Sequence, residues 1–352
     1  MTGHSPGRQL QRKAADRAQG GAHKAAAPKI VALGGGQGLS ASLSALRRLT
    51  GDLTAVVTVA DDGGSSGRLR EELGVLPPGD LRKALAALCG DDDWGRTWSE
   101  VIQHRFTSDG ELHGHAVGNL LIVALWEKLG DHVAALEWVG RLLGAHGRVL
   151  PMSAVPLDIE ATVRGHDPAR PGEVGTVRGQ AHVAVTPGTV QSIRLLPEDP
   201  PAVPEAVRAV RDADWVVLGP GSWFTSVLPH LMVPELAEAL FATKARRLLT
   251  LNLAPQPGET EGFTPQRHLE VLAHHAPELA VNAVLVDEGA VTGGAFGDAD
   301  LPGLEKAAGR MGGELVLDRV AAADGTPRHD PELLAAAYDR IFRTHGRIGA
   351  WR

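Results

Sequence analysis

Short apolar segments alternate with helical patterns along most of this chain. Residues 29–33 and 53–60 are short apolar segments, and leucines recur at helical spacing between them. Strands that alternate with helices over short connections predict a parallel sheet. The same alternation returns later, at 215–218, 248–253, 281–286 and 315–317. We therefore expect an α/β domain with a three-layer, Rossmann-like, doubly wound and mainly parallel sheet.

Two stretches depart from this pattern. Residues 148–204 contain prolines, glycines and short alternating segments such as 158–163, which predict a small β-rich insertion embedded in the domain. Residues 1–28 are polar and lack the apolar core of a signal peptide, so we expect a disordered N-terminal tail there. The predicted organisation is this tail followed by a single Rossmann-like domain over 29–345, which carries the insertion.

Composition narrows the classes of function. The chain has 352 residues, of which 43% are hydrophobic, so it can bury a sizeable core. Its net charge is −7 and its body has no long basic tract, so nucleic acid is not expected as the main partner. Cys89 is the single cysteine, which excludes an intramolecular disulfide and a cysteine-rich zinc site. No apolar run is long enough to span a bilayer, so we expect no membrane partner and a cytoplasmic location.

The first glycine-rich turn lies at the end of the first predicted strand. It contains Gly35, Gly36, Gln37 and Gly38, and the run from Gly36 to Ala41 satisfies the G-x-G-x-x-A pattern of dinucleotide-binding folds. A glycine turn between a strand and a helix directs backbone N–H groups and a helix N-terminus at one point, which suits a phosphate. The turn lacks the Lys-Ser/Thr of a P-loop. The alternative is a turn that only connects the strand to the helix.

A second turn, at the end of the second predicted strand, carries paired acids. Asp61 and Asp62 repel each other, so holding both at one site requires a cation or a hydrogen-bond donor, and Mg²⁺ prefers carboxylate and phosphate oxygens. We predict both acids as candidate metal ligands and candidate catalytic residues. The candidate phosphate contacts that follow them are Gly63, Ser65, Ser66 and Arg68. The alternatives are a ribose-binding role for Asp61 and an exposed acidic turn.

Further candidate ligand-binding residues lie in later turns. Asp80 and Arg82 begin a predicted helix, and His115 and Asn119 lie beside another helix start. His115 is also a candidate catalytic base. Its neighbour at 113 is a histidine too, but a metal site there is disfavoured because no third ligand is near in sequence. The remaining candidates are Gly219, Gly221, Ser222 and Gln256. For each turn the alternative is structural: a helix cap, an ordinary turn or a solvated loop.

In combination, these motifs resemble one known family. They are similar, in order, to motifs of the bacterial gluconeogenesis factor family (YvcK-like), and they lie at 34–40, 59–68, 77–82, 114–120, 218–222 and 252–260. That family is similar in turn to the 2-phospho-L-lactate transferases (CofD-like). Gln37 stands where the family pattern has threonine, and Ala116 and Val117 replace a Ser-Leu pair. None of these changes removes a charge.

The resemblance implies a Rossmann-like cytoplasmic protein that binds a nucleotide sugar of the UDP-N-acetylglucosamine (UDP-GlcNAc) type. It implies a regulatory role in cell shape, morphogenesis and cell-wall homeostasis during gluconeogenic growth. For the transferase relatives it implies a nucleoside-diphosphate-linked donor, a deazaflavin acceptor and Mg²⁺. Asp61 and Asp62 would then match the acidic site, and Arg82 or Lys83 the basic position. An Mg²⁺-dependent transferase is therefore the alternative; no tightly bound organic cofactor is implied, and homo-oligomerisation stays open.

A nicotinamide-dependent dehydrogenase is a third class, which the G-x-G-x-x-A pattern allows. Tyr338 is the single tyrosine of the chain, and phenylalanine stands four residues after it. The Tyr-x-x-x-Lys mechanism of short-chain dehydrogenases is therefore excluded. The acidic turn also has no role in hydride transfer, so we favour a nucleotide sugar or another nucleoside diphosphate over NAD.

Overall fold

The computed structural model describes residues 27–346, which include the whole predicted domain. The tail predicted for 1–28 lies outside the described residues apart from its last two positions. Within 27–346, none of the helices combines the length and the apolar character that crossing a membrane requires.

Seven strands form one parallel sheet in the order β12-β9-β8-β7-β1-β2-β3. The chain runs outward from β1 through β2 to β3 and later returns to the other side of β1 with β7. This order confirms the doubly wound, Rossmann-like prediction and places the reversal of strand order between β1 and β7. The strands of the described residues are β1 (Ile30–Gly34), β2 (Leu53–Val57), β3 (Arg148–Pro151), β4 (Asp158–Arg164), β5 (Val174–Arg178), β6 (Thr189–Leu196), β7 (Trp215–Leu218), β8 (Arg246–Thr250), β9 (Ala283–Asp287), β10 (Thr292–Gly294), β11 (Gly297–Asp298) and β12 (Glu314–Asp318).

Helices follow most strands of the central sheet, as the alternating sequence pattern predicts. A π-helical turn (Trp223–Val227) and a 3₁₀ turn (Leu228–Leu231) follow β7. The α-helices of the described residues are α1 (Gly36–Leu46), α2 (Gly64–Leu73), α3 (Gly79–Ala87), α4 (Asp93–Gln103), α5 (Val117–Leu129), α6 (His132–Leu143), α7 (Gln180–Val183), α8 (Pro204–Asp212), α9 (Pro234–Ala242), α10 (Pro265–His275), α11 (Glu288–Val291), α12 (Leu301–Arg310) and α13 (Pro331–Gly346).

The core lies on both faces of the central sheet. Every residue of β1, β2 and β7 is buried, and these strands consist mainly of valine, leucine, isoleucine and alanine. Such continuous apolar runs are typical of strands covered by helices on both sides. Helix α1 packs on this sheet through Leu39, Leu43 and Leu46, which are buried at the predicted helical spacing.

A separate antiparallel sheet, in the order β5-β4-β6, confirms the predicted β-rich insertion. Along β4, Ile159, Ala161 and Val163 are buried and alternate with more exposed residues, as expected for a sheet with one covered face. Within 148–204, β3 pairs with β2 in the central sheet. The antiparallel sheet itself therefore runs from Asp158 to Leu196.

Several helices occupy segments for which the sequence predicts none, and α2 and α4 are two of them. Helix α2 begins inside the acidic turn, because Gly63 is extended and acts as its N-cap, so Ser65 and Ser66 lie in its first turn. Helix α4 follows Asp92, whose carboxylate accepts a hydrogen bond from the Gly95 N–H. Ser-Ser-Gly and Trp-Gly sequences are weak helix formers, and packing against the rest of the domain overrides that preference.

Candidate functional site

A cleft of about 800 Å³ lies at the carboxyl ends of the central strands, where the strand order reverses. Gln37 and Gly38 at the start of α1 line it, together with Pro220 and Gly221 after β7 and residues 252–257 after β8. We call it the switch-point cleft. Doubly wound sheets bind ligands at this position, and the N-terminus of a helix such as α1 favours an anion.

Backbone contact and side-chain hydrogen bonds hold the loops of the switch-point cleft together. Gly38 packs so closely on the Pro220 carbonyl that a Cβ at this position would collide with it. The Asn252 side chain donates to the Gly221 carbonyl and accepts from the Gly221 N–H, both at 2.8 Å. Its amide nitrogen also lies 3.5 Å from Gln256 Oε1. These contacts fix three separate loops around one opening.

Glu259 connects the loop after β8 to the turn after β7. Its buried carboxylate accepts hydrogen bonds from Ser222 Oγ at 2.6 Å and from the Phe224 N–H at 2.7 Å. Burial raises the pKa of Glu259, and these hydrogen bonds act in the opposite direction. Gly219, at the start of the same turn, accepts a hydrogen bond from Ser42 on α1 at 2.9 Å. Ser222 and Gly219 thus hold the walls of the cleft in position.

Two acids, the half-buried Asp61 and the buried Asp80, lie near the first glycine turn; we call them the carboxylate pair. A Cβ at Gly79 would lie 2.7 Å from Asp61 Oδ2, and a Cβ at Gly35 would lie 2.7 Å from Asp80 Oδ2, so the chain approaches both acids closely. Lys83 Nζ donates to Asp80 Oδ1 at 2.8 Å. The Asp80 side chain is 3% exposed and that of Lys83 is 26% exposed. One ammonium group therefore accompanies two carboxyl groups.

The electrostatics of the carboxylate pair suit a hard cation. Burial raises the pKa of Asp61, and the negative charge of Asp80 raises it further, whereas Gly63, Lys83 and Ser66 lower it. The Gly63 N–H donates to Asp61 Oδ1 at 3.0 Å. Mg²⁺ prefers such carboxylate oxygens and usually keeps water and phosphate ligands as well. Across residues 27–346, no three His, Cys, Asp or Glu side chains converge on a metal position. The carboxylate pair therefore fits Mg²⁺ only if water or phosphate oxygens supply the remaining ligands.

Asp62, the second acid of the predicted metal pair, faces the insertion. Its Oδ1 accepts a hydrogen bond from the Ala181 N–H at 2.8 Å, in the first turn of α7. The neighbouring Gln180 extends its amide to within 3.5 Å of Thr225 Oγ1, next to the turn after β7. Asp62 therefore joins the insertion to the acidic turn, and the carboxylate pair forms without it.

Arg68, a predicted phosphate contact, holds a neighbouring loop. Its guanidinium group donates to the carbonyl oxygens of Glu111 at 3.1 Å and His113 at 2.6 Å. Arg105 donates to the Gly114 carbonyl at 2.7 Å on the other side of the same loop. Arg68 thereby fixes the chain that leads into α5, and its contact with phosphate stays a prediction.

Four polar side chains form a hydrogen-bonded line from α3 to the start of α5. Arg82 Nε donates to Asn119 Oδ1 at 2.9 Å, Asn119 Nδ2 donates to Ser65 Oγ at 3.0 Å, and Ser65 Oγ lies 3.0 Å from His115 Nδ1. We call these residues the polar line. Burial lowers the pKa of Arg82, as does the charge of Arg105. Burial also lowers the pKa of His115.

The structure places the predicted residues in two neighbouring groups. The switch-point cleft and its supports include the candidates at 37–38, 219–222 and 256. The carboxylate pair and the polar line include Asp61, Ser65, Asp80, Arg82, His115 and Asn119, with Ser66 and Gly63 bonded to Asp61. Gly35 lies between the groups, beside Asp80, and Gly36 begins α1. The side chains of Asp62 and Arg68 form hydrogen bonds with other loops and belong to neither group.

Sequence reasoning reaches Asn252 and Glu259 only as members of the motif at 252–260, and it reaches Lys83 only through the family resemblance. Lys83 stands three residues after Asp80, the helical spacing at which opposite charges pair, so that spacing is a usable signal. Asn252 and Glu259 lie in a loop after a strand, where functional side chains concentrate. Their partners lie more than 30 residues away along the chain, which no local pattern reveals.

Comparison with known proteins gives consistent matches. A family model described as 2-phospho-L-lactate transferase CofD matches residues 30–301. A relative from Mycobacterium tuberculosis, described as "Putative gluconeogenesis factor", is 55% identical over 89% of this chain and 90% of its own length. A "Gluconeogenesis factor" from Bacillus subtilis is 38% identical over 74% of this chain and 78% of its own length. The crystal structure of a UPF0052 family member from Bacillus halodurans has a TM-score of 0.77 and 32% identity, covering 88% of this chain and 97% of that one.

Proposed function

This chain belongs to the CofD family, and from that premise we propose that it is a gluconeogenesis factor that binds a nucleotide sugar in the switch-point cleft. The proposed ligand is of the UDP-GlcNAc type. The proposed role is regulatory: ligand occupancy in the cytoplasm controls cell morphogenesis and cell-wall homeostasis during gluconeogenic growth.

The switch-point cleft is the observation that carries this proposal. Its volume of about 800 Å³ is in the range of pockets that enclose a ligand of nucleotide-sugar size. The N-terminus of α1 supplies backbone N–H groups for a diphosphate. Gln256, which Asn252 holds in place, supplies an amide group that suits the polar edge of a base or a sugar. Asp330 and His329 on the far wall add further polar groups.

The direct test is calorimetric titration with UDP-GlcNAc, comparing the wild type with Gln37→Glu. Gln37 is exposed in the first turn of α1 and lines the cleft, so the new carboxylate would repel a bound diphosphate while favouring the helix itself. We expect about tenfold weaker binding, with a smaller loss at high salt. Gln191→Glu makes the same charge change at an exposed position of β6 and should bind like the wild type. Equal affinity of the two variants for UDP-GlcNAc would show that the ligand does not bind in this cleft.

The carboxylate pair favours a second function, an Mg²⁺-dependent transferase. A bound Mg²⁺ would supply charge stabilisation on a donor diphosphate. In that reaction an acceptor hydroxyl oxygen bonds to phosphorus, and the bond from phosphorus to the departing nucleoside monophosphate breaks. Asp61 and Asp80 are the residues that would hold the cation. The acceptor hydroxyl loses its proton to a base in the same step.

Mass spectrometry of product formation separates the two functions. The protein is incubated with Mg²⁺, diphosphate-linked nucleoside donors and a deazaflavin acceptor. Asp61→Asn should abolish any product, because it removes a carboxylate charge from the pair. Asp199→Asn, an equivalent change at an exposed position near the end of the insertion, should leave turnover intact. Binding of UDP-GlcNAc without product from any donor supports the regulatory role.

A further inference from the structure

In the polar line each hydrogen bond fixes which atom donates in the next one. This order of donors and acceptors determines which ring nitrogen of His115 carries a proton. Arg82 has only donors, so the atom of Asn119 that it contacts at 2.9 Å must be the carbonyl oxygen. The Asn119 NH₂ group therefore faces Ser65 and donates to its Oγ at 3.0 Å. The orientation of this amide follows from chemistry and does not depend on telling oxygen from nitrogen by position.

The Ser65 hydroxyl links Asn119 to His115 and determines the hydrogen bond that His115 receives. Its Oγ accepts from Asn119 Nδ2 and also, at 3.4 Å, from the Ala116 N–H. Both lone pairs of the hydroxyl oxygen are then used, and its single proton remains to be donated. The partner left for that proton is His115 Nδ1, at 3.0 Å. Nδ1 must therefore carry a lone pair, so a neutral imidazole has its proton on Nε2.

The surroundings of His115 keep the ring neutral and fixed. A charged ring would bring a third donor to Ser65 Oγ, which has no lone pair to accept it. Burial and the positive charges of Arg68 and Arg105 lower the pKa of His115, against the weaker opposing effect of Glu72 and Glu111. The backbone of His115 is held on both sides, because its N–H donates to the Leu112 carbonyl and its carbonyl accepts from the Phe106 N–H, both at 3.0 Å.

The exposed end of the ring is Nε2. No hydrogen bond among residues 27–346 uses this atom, and it is not one of their enclosed polar atoms without a partner. Nε2 therefore keeps some solvent-accessible surface, although His115 as a whole is only 7% exposed. We propose that the polar line locks His115 as the Nε2–H tautomer, so that His115 presents a fixed hydrogen-bond donor to an oxygen acceptor of the ligand. Arg82, Asn119 and Ser65 are positioning residues in this scheme.

This assignment rests on the proposed function for its ligand. Because His115 does not line the switch-point cleft, that ligand must extend from the cleft to His115. The assignment also changes the role predicted for His115. A catalytic base acting through Nε2 needs a lone pair on that atom. In the locked tautomer Nε2 carries a proton, so His115 is a donor and not a base. Ser65 is disfavoured as a nucleophile for a different reason: its proton points to Nδ1, as activation by a base requires, but both lone pairs of its Oγ already accept hydrogen bonds. The ligand group that fits is a carbonyl, hydroxyl or phosphate oxygen.

The tautomer can be measured without any ligand. Long-range ¹H–¹⁵N NMR correlation separates protonated from bare ring nitrogens, and His115→Gln identifies the His115 signals among the fifteen histidines. At neutral pH we expect one tautomer, with the proton on Nε2. A proton on Nδ1, or an imidazolium at neutral pH, overturns the proposal.

Asn119→Asp tests the direction of the polar line. A carboxylate at 119 still accepts from Arg82 but cannot donate to Ser65, so the Ser65 proton turns towards it and Ser65 Oγ becomes an acceptor for His115. The proton should then move to Nδ1. Asn282→Asp, which alters the acceptor for the Arg247 N–H outside the site, should leave the Nε2–H tautomer unchanged. A folded Asn119→Asp protein that keeps Nε2–H refutes the directional argument.

Two further measurements keep the proposal testable if Asn119→Asp does not fold and extend the test to ligand binding. If Asn119→Asp does not fold, Ser65→Ala removes the donor to Nδ1 and should give a mixture of both tautomers; a single Nε2–H form in that variant refutes the locking role of Ser65. In UDP-GlcNAc titrations the tautomer switch should weaken binding about tenfold, because a ligand oxygen would meet a lone pair. A locked tautomer in a protein that binds no nucleotide sugar defeats the proposed function and leaves the tautomer assignment standing. Undiminished binding to a switched His115 refutes the donor role.

Discussion

Lys83→Met removes the ammonium group that pairs with Asp80 in the carboxylate pair. Lys83 Nζ lies 2.8 Å from Asp80 Oδ1, and the Asp80 side chain is 3% exposed. Removing one partner of a fully buried ion pair costs about 3–5 kcal/mol. Because the Lys83 side chain is 26% exposed, water screens part of the interaction, and we expect a loss of about 2 kcal/mol at pH 7.5. The methionine retains the apolar stem, so packing changes little.

The loss should depend on pH in a definite direction. The pKa of Asp61 is already raised by burial and by Asp80, and removing the Lys83 charge raises it further. A carboxyl group whose pKa is higher in the folded than in the unfolded state stabilises the fold as pH decreases, because the folded state takes up the proton first. Protonation also ends the repulsion in the pair. The penalty for Lys83→Met should therefore fall to about 1 kcal/mol or less near pH 5.

Urea denaturation followed by circular dichroism at pH 7.5 and pH 5.0 gives both free energies of unfolding. Lys306→Met is the matched control, since Lys306 is exposed in the middle of α12 and should lose almost nothing at either pH. An equal penalty for Lys83→Met at both pH values refutes the electrostatic reasoning and indicates a packing effect. A penalty no larger than that of Lys306→Met shows that Lys83 does not balance the pair.

Two other predictions concern Gly79, next to the carboxylate pair, and the buried His230. Gly79→Ala should cost about 2 kcal/mol in urea denaturation, because its Cβ would collide with Ser66 Oγ, whereas Gly51→Ala points into open space and should cost nothing measurable; equal costs would contradict the close approach. His230 is fully buried, donates to the Val56 carbonyl and has its pKa lowered to about 4 by burial. The unfolded state therefore binds the proton first on acidification, and the wild type should lose up to about 1.4 kcal/mol per pH unit between pH 6.5 and 4 through this residue. His230→Gln should lack that contribution, and parallel pH curves would refute it.

Much of the fold could be predicted because buried parallel strands leave a strong signal. Continuous apolar runs separated by helical leucine patterns mark β1, β2 and β7 within one or two residues, except that the second run extends past β2. The glycine turn before α1 could be predicted because a strand-to-helix connection at this point needs little else. Helix α2 could not, because its first residues Gly64–Gly67 favour a loop and only packing stabilises the helix.

The site was harder to predict because its key contacts join distant segments. Nothing near Asp62 indicates that its carboxylate accepts from Ala181, 119 residues later. Its neighbour Asp61 instead approaches Asp80, which helix α3 carries to the same point. Local composition therefore indicated acids, but only the packing of α3 and of the insertion determined which two form the pair.

The order of the central strands also affects how the protein is made. Strand β1 pairs with β7, and the Lys29 N–H beside it donates to Asp214 Oδ2, 185 residues further along the chain. At synthesis rates of about 5–20 residues per second, β7 leaves the ribosome on the order of ten seconds or more after β1. During that interval one edge of a wholly apolar strand has no partner and can pair with another nascent chain. The switch-point cleft cannot form before this edge closes, so a nascent chain exposes an unpaired apolar edge before it can bind a ligand in the cleft.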